Sequence, residues 1–428
     1  MLALPLGFAF QAAALRADLP DSEVKLVVIV SRHGVRAPLV TNAALGVYSS
    51  EPWPKWDVPP EFLTTHGKEQ MALMGAFYRS LYVREGLLEG STDRDLPRVY
   101  FRADSDERTV ETANGLALGL LPGGAPEIHA RTRGQADPLF EPGKVLVGRA
   151  DEALAYSAVK GRLGGDPSVV TEAYPSLFAD LQRVLFGGDG RPPPGKVSIL
   201  SLPITFAPGK NGEAVDMGGP LHKAESLIDS ILLEYADGMP LANVGWGRAD
   251  RATLTRLMQL HSLYFDLSQR TFYPAQTQAS NLASHILQTM GQTVTGRLLP
   301  GAIGTPDDRL VFLIGHDTNI ANLGGLLGLT WMLPETPANP LLPGGALVFE
   351  LRLHRGDGRW FVRTFYVSQT LDQMRAAEPL TLQNPPKVAP IFIPDCSGAG
   401  PGFEAPYEKF AERVRRVIDP KFILPGSS

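Results

Sequence analysis

Two short stretches, SRHGVRAP at 31–38 and GHDTN at 315–319, hold residue types that together could handle a phosphoryl group. Arginine forks match phosphoryl oxygens two at a time, so Arg32 and Arg36 on either side of His33 suggest an oxyanion site. A histidine among cations is held in its neutral form, which leaves a ring nitrogen able to attack phosphorus. His33 is therefore the candidate nucleophile. Asp317, one residue past His316, could give a proton to a departing alcohol oxygen, and His316 could bind the phosphate. Arg108 in SDERT adds a third guanidinium. A single histidine after a strand more often serves a turn, and GHDTN alone could be a helix cap. RHG-x-R-x-P taken whole is different, because five fixed positions should occur by chance with a probability of only ~10⁻⁴ in a chain this long.

These groups need rigid elements behind them. KLVVIV at 25–30 is a short continuous apolar run of the kind buried on both faces of a parallel sheet, and it stops at SRHG. Thr64 and Thr65 offer caps for a helix to about Val83, closed by Gly86. RVYFRA at 98–103 predicts a second strand, followed by a helix capped at Ser105, and RLVFLIG at 309–315 predicts a third, followed by a helix whose start is marked by Thr318 and Asn319. Ligands sit at the carboxyl ends of such strands. If the three strands are neighbours, one pocket receives three guanidiniums, two imidazoles and a carboxylate. ALVFELRLH and RWFVRTFYVS around Gly356-Asp357-Gly358 predict an antiparallel hairpin extending the sheet, and QTLDQMRAA a short helix. From about 136 to 294 the periodicity is helical. The expected architecture is an α/β fold: a mixed, largely parallel sheet flanked by helices, built from 21–135 and 295–428, with a helical lobe inserted at 136–294.

The composition limits the partners. A net charge of -5, without a basic run, argues against nucleic acid. No stretch reaches the ~18 apolar residues that would span a bilayer. Cys396 is the single cysteine, so neither an intramolecular disulfide nor a cysteine metal site can form. His66, His129, His222, His261, His285 and His354 lack ligand spacing, and neither metal nor cofactor is expected. Residues 1–20 have an apolar stretch followed by small residues that resembles the end of a secretory signal, without the basic start.

SRHGVRAP and GHDTNIANLGG, with EPWPKWDVP, FLT-x-x-G, DERT, QADPLF, GMP-x-x-x-VGWG, LPGGALVFE and TLDQMR, resemble the histidine acid phosphatases from about Lys25 to Cys396. The resemblance is to the bacterial branch that holds periplasmic phytases and glucose-1-phosphatases. It implies a phosphoglycerate-mutase-like core, a phosphohistidine on His33, a phosphate pocket of Arg32, Arg36, Arg108 and His316, and proton donation by Asp317. It also implies export to the periplasm or beyond, a small-molecule phosphate monoester as substrate, and inorganic phosphate as product. Phytases of this branch carry Thr-Lys where this chain has Leu39 and Val40, and a basic contact where it has Gln278. Glucose 1-phosphate or a broad range of monoesters is thus favoured over phytate, although the glucose-1-phosphatases usually have Asn at Gly34 and Ser at Thr318. Asp229 falls where relatives place an acidic substrate contact, or is a solvated helix charge, and His261 falls where they place a pocket histidine. Relatives also carry several disulfides, which this chain cannot form. The rival readings are a phosphoglycerate-mutase-like transferase and a phosphate-binding protein that has lost its catalysis.

Overall fold

The computed structural model describes residues 22–145, 147–209 and 215–424. Its main elements in chain order are β1 (Ser22–Arg32), α1 (Thr65–Arg84), β2 (Val99–Ala103), α2 (Glu107–Leu120), β3 (Ile128–His129), α3 (Glu152–Arg162), α4 (Pro175–Phe186), β4 (Thr205–Pro208), β5 (Val215–Gly218), α5 (Pro220–Ala236), α6 (Arg251–Ser268) and α7 (Phe272–Thr295). There follow β6 (Leu310–Gly315), α8 (Asp317–Leu327), β7 (Ala346–His354), β8 (Trp360–Ser368), α9 (Leu371–Ala376), β9 (Lys387–Pro390), β10 (Ala405–Pro406) and α10 (Tyr407–Val417).

The large sheet runs in the order β10-β8-β7-β1-β6-β2-β3, with β9 also on β8. It is parallel from β1 through β6 and β2 to β3, and antiparallel from β1 through β7 and β8. Period-two alternation with both faces buried explains why LVVIV at 26–30 is apolar throughout. Val27 and Ile29 enter one core with Met71, Phe77 and Leu116 of α1 and α2, while Leu26, Val28 and Val30 enter the core on the opposite face. That second core runs without a break into α4, α5, α6 and α7.

The helix starts differ from expectation at two corners. α2 begins after Asp106 rather than at a Ser105 cap, and the backbone N–H of Ser105 donates to the Asp104 carboxylate at 2.7 Å. α8 begins at Asp317 with His316 as its N-cap, and Asn319 closes the turn by accepting from His316 N at 2.8 Å. Both shifts put a chemically active residue at the strand-to-helix junction itself. The small β4–β5 ribbon interrupts the middle third, where the periodicity points only to helices. Residues 1–20, the possible signal segment, lie outside the described residues.

Candidate active site

The site begins where β1 gives out between β6 and β7. Arg32 pairs with Gly315 across the parallel ladder, and His33 N donates to Gly315 O at 2.9 Å. The ends of β1 and β6 are thereby locked, so SRHG and GHD, distant in sequence, face the same space. The rings of His33 and His316 meet edge to face with centroids 5.7 Å apart. β2, on the far side of β6, ends at Ala103, and Asp104 N donates to Ile314 O at 2.9 Å.

His33 is buried, with its Nδ1 2.9 Å from Gly34 O. A carbonyl only accepts, so Nδ1 carries the proton and Nε2 keeps the lone pair. Desolvation, with Arg36, Arg32 and Arg108 nearby, drives its pKa well below the ordinary 6.5, so the ring stays neutral in acid. Gly34 does not adopt a left-handed backbone. A Cβ there would lie 3.0 Å from Met71 Cγ and 3.3 Å from Gly67 O, so the glycine lets the catalytic loop sit against α1.

Arg32 and Arg36 share one carboxylate. Arg32 Nη2 donates to Asp229 Oδ1 at 2.8 Å, and Arg36 Nη2 donates to Asp229 Oδ2 at 3.0 Å. Asp229 lies on α5 and is buried, so the alternative of a solvated helix charge does not hold. Arg32 Nη2 also lies 3.1 Å from Asp317 Oδ2, while Asp317 Oδ1 accepts from Thr318 N at 2.8 Å. Arg108, in the first turn of α2, is steered by Asp106 through an ion pair at 2.5 Å. Among the described residues, the Nε–H groups of Arg32, Arg36 and Arg108 are all buried without a hydrogen-bond partner. Three unmatched guanidinium donors around one imidazole form an anion-binding arrangement.

Three functional side chains are not evident from the sequence. Asp104 accepts from His316 Nε2 at 2.7 Å and fixes that ring. Its signal is position: it is the first residue past an apolar strand, as His33 and His316 nearly are. Asp106 steers Arg108, yet in the sequence it reads as an ordinary acid at a helix start. Glu225 lies one helical turn before Asp229 with its Oε1 3.7 Å from His261 Nε2, but on a helix that also carries His222, Lys223 and Glu234 nothing in the sequence sets it apart. Asp104, Asp106 and His316 offer ligand atoms within 4.8 Å of one another, but these atoms are engaged with each other, Ser105 N and Arg108. We assign no metal to them.

Among the residues considered for specificity, His261 on α6 is buried 4.0 Å from Asp229 Oδ1. Leu39 and Val40 are exposed just beyond Pro38, and Gln278 is half-buried on α7. EPWPKWDVP and VGWG meet directly: Trp53 packs on Trp246 at 4.8 Å, and Trp246 Nε1 donates to Pro52 O at 2.9 Å.

The sequence matches the histidine phosphatase superfamily (branch 2) over residues 23–171. It is 34% identical to the phytase AppA of Escherichia coli over 402 residues, covering 92% of each chain. It is 30% identical to the glucose-1-phosphatase of Salmonella typhimurium over 420 residues, covering 94% of this chain and 95% of that one. The structure of Hafnia alvei phytase in complex with tartrate superposes with a TM-score of 0.87 at 35% identity, covering 95% of this chain and 99% of the other. With strand-end histidines and arginines on a common framework over nearly its whole length, this chain belongs to the histidine phosphatase superfamily, branch 2.

Proposed function

We propose that the protein is an acid phosphomonoesterase working in two steps through a phosphohistidine on His33. The observation that carries this is the neutral His33 ring, with its Nε2 lone pair, among three arginines whose buried Nε–H groups have no protein partner. In the first step Nε2 forms a bond to phosphorus, the bond from phosphorus to the alcohol oxygen breaks, and Asp317 passes its proton to that oxygen. In the second, water attacks phosphorus, the N–P bond breaks, and the Asp317 carboxylate takes the water's proton. Arg32, Arg36, Arg108 and His316 hold the phosphoryl oxygens throughout, so catalysis is mainly positioning and charge stabilisation.

Sugar phosphates such as glucose 1-phosphate, or a broad range of monoesters, are the substrates favoured. Exposed apolar Leu39 and Val40 offer no cation to a substrate bearing six phosphates. Phytate is the second reading, supported by the identity to phytases. Export is part of the proposal and rests on the family resemblance; sequencing the mature N-terminus tests it. The enzymatic test is phosphate release from 4-nitrophenyl phosphate in acid, with the phosphoenzyme trapped by a denaturing alkaline quench, which preserves the acid-labile P–N bond. His33→Ala is expected to abolish both signals, and full activity in that variant overturns the mechanism. Phosphate moved between acceptors without net release would indicate a transferase, and stoichiometric binding without turnover a silent binder.

A further inference from the structure

α2 carries Arg108, and it also holds the catalytic loop at two points away from that guanidinium. Thr112, one turn past Arg108, donates through Oγ1 to Arg108 O at 2.7 Å and accepts from Gly34 N, next to His33, at 2.9 Å. Glu107, the first residue of α2, reaches the other way and accepts from Leu63 N at 2.9 Å through Oε2. Leu63 stands opposite Arg36 in a short antiparallel bridge, closed by Ala37 N donating to Phe62 O and Thr64 N to Val35 O, both at 3.0 Å.

In a bridge of that pattern Arg36 and Leu63 face each other without exchanging hydrogen bonds, so the N–H of Leu63 points outward, away from the catalytic loop. Leu63 is buried, and a buried outward N–H needs an acceptor. Glu107 supplies it, and Glu107 directly precedes Arg108. One hydrogen bond thus joins the residue opposite Arg36 to the residue beside Arg108. An acid in the first turn of a helix commonly serves the helix dipole, a role that depends on charge and not on reach. Glu107 is half-buried and its carboxylate is engaged with another segment, so here the reach matters. Leu63 also packs at Gly34, where an added Cβ would lie 3.2 Å from Leu63 Cδ1. A shift of Leu63 therefore disturbs the turn after His33 as well as Arg36.

We propose that Glu107 is a positioning residue that sets the distance between Arg36 and Arg108, holding the two guanidiniums at the spacing a phosphoryl group needs in the transition state. The proposal rests on the phosphomonoesterase reading above. It is tested by kcat and KM for 4-nitrophenyl phosphate in the unmodified enzyme, Glu107→Asp and Glu107→Gln, at a temperature where circular dichroism shows all three folded. Glu107→Asp keeps the charge and a good helix start but is one methylene too short to reach Leu63 N. It is expected to lower kcat about tenfold, the worth of one good hydrogen bond, with KM changed less than about twofold. Glu107→Gln keeps the reach and an acceptor oxygen but not the charge, and is expected to retain kcat within about threefold. An unmodified kcat in Glu107→Asp, a loss confined to KM, or a Glu107→Gln variant as impaired as Glu107→Asp overturns the tie while leaving the phosphatase reading intact. No phosphate release from any ester by the unmodified enzyme overturns both.

Discussion

A carboxylate between two buried guanidiniums holds both in place only while it is ionised. Burial alone would raise the pKa of Asp229, but Arg32 and Arg36 outweigh it and hold the carboxyl below its ordinary 3.8. A depressed pKa contributes stability that is present above the unfolded value and is lost as pH falls through the folded one. The clamp therefore stays intact across the acid range in which it would work. Asp229→Ala leaves Arg32 and Arg36 without their shared counter-charge and is expected to cost about 3–5 kcal/mol. Inorganic phosphate should recover part of this, because it supplies the missing charge. Thermal unfolding is expected to show a larger phosphate-induced rise in the variant than in the unmodified protein, and an equal rise would count against the clamp. His33 gives a second pH statement. Its pKa is pushed below 6.5 by burial first and then by Arg36, Arg32 and Arg108, so the acid limb of kcat/KM for an aryl phosphate is expected well below pH 6.5. A limb centred on the ordinary histidine value would mean that His33 is not the nucleophile. At this scale the sequence discloses residues whose types are unusual where they stand, His33, Arg36 and Asp317 among them. It conceals Asp104 and Asp106, since an acid beside a helix start is ordinary until tertiary contacts show which side chain it holds.

α1 and α2 show why the elements themselves are legible. Each follows a strand or loop with a clear break, and the apolar residues of α1, Met71, Met74, Phe77, Tyr78 and Leu81, recur at helical spacing and are all buried. Thr64 caps α1 as expected, accepting from Gly67 N at 2.8 Å. Sequence could not show how close α1 comes to the catalytic loop. A Cβ on Gly67 would lie 2.2 Å from Val35 O, so only hydrogen fits between the helix and the segment carrying Arg36. Gly67→Ala is expected to destabilise by about 1–3 kcal/mol, as overpacking does, and also to lower kcat/KM by displacing Arg36. Gly86, at the other end of α1, has φ +74, and a Cβ added there would meet nothing within 4 Å. Gly86→Ala should cost about 1–2 kcal/mol through its left-handed backbone alone, with kcat/KM unchanged. Activity assays beside chemical denaturation separate the two, and equal kinetic effects would show that the contact with Val35 does not position the loop.

At the scale of the whole chain, periodicity makes the middle third legible as helical, and only the family resemblance brings its Asp229, His261 and Gln278 to the site. Periodicity shows that a segment is helical without showing which surface receives it, so nothing in α5 discloses that Asp229 crosses to Arg32 and Arg36. One continuous core joins Leu26, Val28 and Val30 of β1 to Leu181 of α4, Leu227 and Ile231 of α5 and Leu257 of α6. The Trp53–Trp246 contact and the Asp229 clamp add polar and aromatic ties across the same boundary. Separating the lobe from the sheet would expose apolar surface on both and leave two guanidiniums unpaired, so partial unfolding has no low-cost intermediate. With Cys396 as the single cysteine, this coupling is non-covalent. Denaturant unfolding is therefore expected to follow one cooperative transition, with far-UV circular dichroism and tryptophan fluorescence coincident and unaffected by reductant. Trp53, Trp56 and Trp246 report the junction, whereas Trp331 and Trp360 report the remainder. Fluorescence changing at lower denaturant than circular dichroism would show that the lobe opens on its own. In that case Asp229 would leave the arginines before the sheet unfolds, and activity would be lost together with the first transition.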